Sequence, residues 1–194
     1  MEIGATEAVQ DRLKTTKIEE SKGASLVFCW DTHLTKIKGR NVLFIVNASN
    51  RYTIAMTDIE PRNWNYYIMY ISRVIYGVMQ EMGYSEDQIG QYFKMSGDTT
   101  VTKTHGRKSV GGINRMVMDA QYFGKKLEKE AKYQWELSEY LNRDICQPEG
   151  FDAYGYPSEL FKLDMERLGI ISKRKPAKII DFTRYIDTNR STNH

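Results

Sequence analysis

The sequence predicts an α+β fold: a small antiparallel sheet packed by two long amphipathic helices, with a C-terminal extension. Three observations predict it. Apolar runs of strand length cluster early, at Leu26–Trp30, Asn41–Val46 and Tyr52–Ile59. Apolar residues at spacings of three and four follow, over Asn63–Met82 and again over Val110–Asn142. Strands and helices are segregated rather than alternating, which argues against a doubly wound parallel sheet.

Each element has its own signal. Residues 1–24 are polar and read as an N-terminal arm, either disordered or with Thr6 capping a short helix over Glu7–Leu13. Leu26–Trp30 is a buried strand, and Lys38-Gly39-Arg40 turns into the second strand. Asn47-Ala48-Ser49-Asn50 is a hairpin turn, because asparagine tolerates positive φ and bonds its own backbone. On the third strand Tyr52, Ile54 and Met56 share a face. Trp64, Ile68, Ile71, Ile75, Val78 and Met82 form one helical stripe, and Gly83 stands where a left-handed cap belongs. Ser85 to Gln88 has capping-box spacing for the next helix, which Gly97 ends.

Thr99–Thr104 is rich in Thr around Val101 and suits a sheet edge or a strand with one wet face. The following helical spacing runs from Val110 to Asn142, with Gly124 in its seam as either a close-packing point or a break. The core domain thus spans residues 25–145, with both helices expected on one sheet face. Residues 146–194 form a peripheral extension with a helix from Ser158 to Leu168, a basic patch at Lys173, Arg174 and Lys175, and a last strand or extended arm over 179–186.

Composition sets bounds. The 194 residues suit one domain, and 41% hydrophobic with 12% aromatic content supplies a real core. A net charge of +3 is mild and steers a partner only where it is clustered. Cys29 and Cys146 form neither a disulfide framework nor a metal-spaced pair, which points to a reducing, cytoplasmic compartment. No secretory leader or membrane span is expected. His33, His105 and His194 match no known ligand spacing, so neither a metal nor a cofactor is expected.

The charge is clustered in one place. From Thr99 to Met118 there is no acidic residue, while Lys103, His105, Arg107, Lys108 and Arg115 fall inside that window. A basic, glycine-bearing loop feeding a helix N-terminus can hold an anion, because free N–H groups and the helix dipole add to side-chain charge. The candidate phosphate site is Lys103, Thr104, Arg107, Lys108, Ser109, Gly111 and Asn114. It matches neither a Walker loop nor a dinucleotide fingerprint. The competing view pairs Lys103 and Arg107 with carboxylates of the fold. His105 could serve a metal-independent ribonuclease as general acid or base, but a solvated loop histidine is the favoured reading. Cys29, inside an apolar run, reads as core. Tyr66 and Tyr70 lie off the apolar stripe and, with Lys173, Arg174 and Lys175, form a candidate interaction surface for stacked bases or a protein.

The residues Lys103, Thr104, Arg107, Gly111 and Asn114 carry a resemblance. From Leu26 to about Phe123 the chain resembles a bacterial family of domains of unknown function, with a signature close to K-T-x-x-R-S-V-x-G-x-M-N. Arg40 and Asn47 resemble that family's hairpin positions. Lys108 and Arg115 depart from it, where small or acidic residues are expected, and make this loop more basic. The resemblance implies no activity.

Two functions are therefore expected. One is binding of nucleic acid or a nucleotide phosphate at the basic loop, with enzymatic phosphodiester chemistry as its less favoured form. The other is a non-catalytic protein-interaction module, of the kind a phage or mobile element uses to inhibit or regulate a host protein. The long helical seam also suits a homodimer.

Overall fold

The architecture follows from the sheet register. The computed structural model describes residues 1–13 and 17–172. Lys173, Arg174 and Lys175 and the strand expected over 179–186 lie outside the described residues. Five strands, β1 (Glu2–Ala5), β2 (Cys29–Ile37), β3 (Arg40–Asn47), β4 (Thr53–Thr57) and β5 (Thr100–Lys103), pair in the order β4-β3-β2-β1-β5. β2, β3 and β4 form an antiparallel meander, and β1 runs parallel to both β2 and β5. The α+β class holds, with a mixed sheet in place of the antiparallel one expected.

The parallel pairs come from a strand inside the stretch read as a polar arm. All four residues of β1 are buried. Its alternation explains this: Ile3 and Ala5 join one apolar layer, while Glu2 and Gly4 point to the opposite face. β2 is likewise longer than the apolar run that signals it. Leu26–Phe28 forms a 3-10 turn, and the strand continues through Asp31, Thr32 and His33. Its polar groups are satisfied locally. The Thr32 hydroxyl donates to the Gly4 carbonyl at 2.7 Å and accepts from the Tyr67 hydroxyl at 2.6 Å.

The turns behave as their residues dictate. Lys38 and Gly39 both have positive φ, and Asn47 Oδ1 accepts from the amides of Ser49 and Asn50 at 3.0 and 3.3 Å. β5 is a sheet edge, as expected, and Glu19 covers part of it by donating its amide to the Val101 carbonyl at 2.8 Å.

Helices cover both faces of the sheet, not one. On the first face Leu43, Ile45, Ile54 and Met56 meet Tyr67, Ile71, Ile75 and Met79. On the second, Val42, Phe44, Val46 and Ala55 meet Ile113, Met116, Ala120, Leu137 and Leu141. The unbroken apolar run of β3 is the signature of a strand buried on both sides.

The first helical stripe is divided into α2 (Pro61–Asn65) and α3 (Tyr67–Glu81), after α1 (Glu7–Gln10). α4 (Glu86–Ser96) starts at the capping box the sequence predicts: Ser85 Oγ accepts from the Gln88 amide, and Gln88 Oε1 from the Ser85 amide. The helix expected over Val110–Asn142 is two, α5 (Gly106–Gln121) and α6 (Trp135–Asn142). The break serves edge strand β4. Its Thr57 amide donates to the Lys132 carbonyl at 2.8 Å, and the Gln134 amide donates to the Ala55 carbonyl at 2.9 Å. A continuous helix would leave those strand groups unpaired.

The described part of the C-terminal segment packs into the core through Phe161, Met165 and Ile170, where a peripheral extension was expected. α7 (Pro157–Arg167) inserts Phe161 among Trp30, Tyr52, Tyr84 and Tyr92, with ring centroids 5.3–6.4 Å away. Asn50 Nδ2 donates to the buried Asp164 carboxylate at 2.9 Å, tying α7 to the β3–β4 turn.

Candidate functional site at the start of α5

β5 leads through Thr104 and His105 directly into α5. Gly106 takes φ +86° at this corner, a conformation that suits glycine. The turn brings the His105 ring down onto β1 and β2. Gly4 makes room for it: a Cβ there would run into Oδ1 of Asp31 and stand 3.1 Å from Nδ1 of His105.

His105 is therefore not the solvated loop residue expected from sequence. Its side chain is only 5% exposed and lies between two carboxylates. Nδ1 is 2.7 Å from Asp31 Oδ1, and Nε2 is 3.0 Å from Glu2 Oε2. Asp31 also accepts from the His105 amide at 3.2 Å and from the Ser109 hydroxyl. Glu2 accepts from the Ser21 hydroxyl at 2.6 Å and the Lys22 amide at 2.7 Å. Cys29, fully buried, completes the cluster beside Glu2, its partner in the β1–β2 register.

The electrostatics follow from these contacts. Burial alone would lower the His105 pKa. The hydrogen bonds to Asp31 and Cys29, with the Asp31 charge, outweigh that and raise it from 6.5 to about 11. For Glu2 burial pushes upward, but the bonds from Ser21, Lys22 and His105 prevail and hold it below the ordinary 4.5. A buried imidazolium bridging two carboxylates is the result. Cys29, His105 and Asp31 are the residue types of a nucleophilic triad, but Cys29 has no exposed surface to offer a substrate.

The predicted phosphate residues divide into two groups. Arg107, Lys108, Gly111 and Asn114 are exposed. Arg107, Gly111 and Asn114 recur at spacings of four and three, so they line one outer face of α5. Lys103 is exposed at the flank, where Glu20 pairs with it at 2.8 Å. Thr104 is half-buried, and Ser109 turns inward to Asp31. That carboxylate occupies the place beneath the helix start where an anion was expected to sit. Lys108 Nζ reaches the Pro148 carbonyl at 3.3 Å, beside a cavity of about 50 Å³ that Arg51, Ser109 and Gly112 also line. Of the candidate interaction surface, Tyr66 is exposed at the α2–α3 junction, while Tyr70 is half-buried against the core.

Sequence reasoning missed Glu2, Asp31 and the approach of Cys29 to His105. A signal existed for Asp31 alone: a carboxylate directly following the run LVFCW is a charge at the end of a strand-length apolar pattern.

No helix among the described residues is long and apolar enough to cross a membrane. No curated protein and no solved structure is matched by this chain. A family model for a domain of unknown function, DUF6933, matches residues 2–160. That span exceeds the region carrying the signature and includes both β1 and most of the C-terminal segment, and on it the chain belongs to the DUF6933 family.

Proposed function

We propose that the outer face of α5 binds phosphate groups of a nucleic acid or a nucleotide. The observation that carries this reading is the exposed stripe of Arg107, Gly111 and Asn114, flanked by Lys103 and Lys108, on a helix with no acidic residue before Asp119. Among the described residues no ion pair engages Arg107, so its guanidinium is available for a bidentate phosphate contact. Gly111 meets no neighbouring atom where a Cβ would stand, which leaves the helix backbone open to close approach. Asn114 supplies an amide donor at the next turn. The reading rests on side-chain charge along the helix and not on its N-terminal amides.

Fluorescence anisotropy with labelled RNA and DNA oligonucleotides, and with a labelled nucleotide, tests it. Binding should weaken steeply with salt, and Arg107→Ala with Lys108→Ala should flatten the log–log salt dependence by about two phosphate contacts. Salt-independent binding, or none at low salt, rejects the reading.

A second reading has one observation in its favour. Exposed Trp135 and Tyr140 line a cavity of about 580 Å³ at the α5–α6 end, and exposed Met118 and Tyr122 are the chain neighbours of its lining residues Asp119 and Phe123. Such a patch suits a protein-interaction module without catalysis. Stable association with a partner protein that Tyr122→Ala and Trp135→Ala disrupt, with no effect of Arg107→Ala, would select it.

A further inference from the structure

We propose that Glu2, Cys29 and His105 form a site for one borderline-soft divalent cation of the zinc class. A carboxylate oxygen, a thiol sulfur and a ring nitrogen of these three residues all lie within 4.8 Å of one another. Tetrahedral zinc with nitrogen, oxygen and sulfur donors separates its ligands by about 3.3–3.8 Å, so small side-chain shifts close the site. The donor set matters. A thiolate with an imidazole selects zinc-like ions, whereas magnesium and calcium take oxygen ligands.

The surroundings already have the form that metal ligands need. Asp31 lies two residues after Cys29 on the same strand and holds Nδ1 of His105 at 2.7 Å, which aims Nε2 at Glu2. A carboxylate that orients a ligating histidine through its other nitrogen is the usual second partner in such sites. Glu2 is fixed in turn by Ser21 and Lys22. The ligands come from β1, β2 and the β5–α5 corner, so the ion would tie three segments that are distant in sequence. Ser21 and Lys22, which bind Glu2, are themselves exposed, so the outer edge of a site whose ligands are buried faces solvent-exposed chain. On binding, the Nε2 proton of His105 and the Cys29 thiol proton leave to water, the carboxylate and thiolate bind directly, and a water takes the fourth position. The site is independent of the phosphate-binding face, which uses none of the three ligands.

Cobalt titration of the full chain, stripped with a chelator and then freed of it, tests the proposal. One equivalent of Co²⁺ should give four-coordinate d–d bands and a near-ultraviolet thiolate-to-cobalt band, and Zn²⁺ should displace both. Cys29→Ser should lose the near-ultraviolet band, Cys146→Ser should keep it, and Asp31→Asn should weaken Co²⁺ binding about 10- to 100-fold. Absence of the thiolate band in the unmodified chain at tenfold excess Co²⁺ overturns the proposal, and that result needs no variant to fold. So does a band that survives Cys29→Ser and vanishes with Cys146→Ser.

Discussion

Asp31 and His105 are 74 positions apart, and their side chains meet at 2.7 Å where α5 leaves the sheet. Asp31 sits on β2 with no exposed surface, and it also accepts from the His105 amide and the Ser109 hydroxyl. One strand carboxylate thus anchors the corner and the first turn of a helix that otherwise lacks a side-chain cap. Removing it leaves the buried imidazolium with Glu2 as its one carboxylate partner and takes the acceptor from the half-buried Ser109 hydroxyl. Asp31→Ala should destabilise the metal-free chain by about 3 kcal/mol, the low end of the range for breaking a buried ion pair, because Glu2 still faces Nε2. Urea denaturation followed by circular dichroism measures it, and a loss under 1 kcal/mol would show that the corner holds without this pair.

Gly4 makes the same contact possible from the β1 side. A methyl group there would collide with Asp31 Oδ1 and crowd the His105 ring. Neither neighbour can move freely, because each is held by further hydrogen bonds in a buried site. Gly4→Ala is therefore expected to destabilise by about 1–3 kcal/mol, as overpacking does. Its β-region backbone tolerates alanine, so the penalty comes from crowding alone. If the thermal midpoint of Gly4→Ala equals that of the parent, the close packing of ring on strand is not real.

The imidazolium also sets a pH dependence for the metal-free chain. The folded state holds a proton on His105 up to about pH 11, and the unfolded chain releases it near 6.5. A group whose folded pKa is raised stabilises fully below the unfolded value, and its contribution declines as pH rises between the two values. Unfolding free energies from urea titrations with a chelator should therefore fall from pH 7 to 9.5, with a limiting slope of about 1.4 kcal/mol per pH unit and a matching fall in the midpoint. His105→Gln, though less stable at pH 7, should lose that slope. A wild-type midpoint that stays level across this range would place the proton elsewhere.

The sequence disclosed the elements better than their arrangement. The capping box at Ser85, the asparagine turn at Asn47, the glycine stop at Gly83 and the edge character of β5 were legible because each rests on residues within a few positions of one another. β1 was not, since four residues with one acid and one glycine carry too little apolar pattern to announce a strand. The split between α5 and α6 was left open, since Gly124 offered a break as one alternative while apolar spacing persists across it. Only the pairing of Thr57 and Ala55 with the intervening loop, across more than seventy residues, enforces the break. The same limit applies to the site. Lys103, Arg107 and Lys108 were visible as a local charge cluster, whereas the Glu2–His105–Asp31 network joins three distant segments and has no local signature.

Gly111 separates the phosphate-binding proposal from the stability of the fold. It lies in the interior of α5, on the outer face between Arg107 and Asn114, with open space where a side chain would project. Its backbone is helical, so glycine is not required for conformation. Replacement by alanine should raise stability by about 0.5–1 kcal/mol, by restricting the unfolded chain and improving helix propensity. The same methyl group would hold a phosphate backbone away from the helix. Gly111→Ala should therefore bind an oligonucleotide more weakly while melting at a higher temperature, and Gly111→Glu should weaken binding further by adding negative charge. Opposite movement of the two readouts cannot arise from partial unfolding, which would lower both. If Gly111→Glu binds as tightly as the parent, phosphates do not lie along this face.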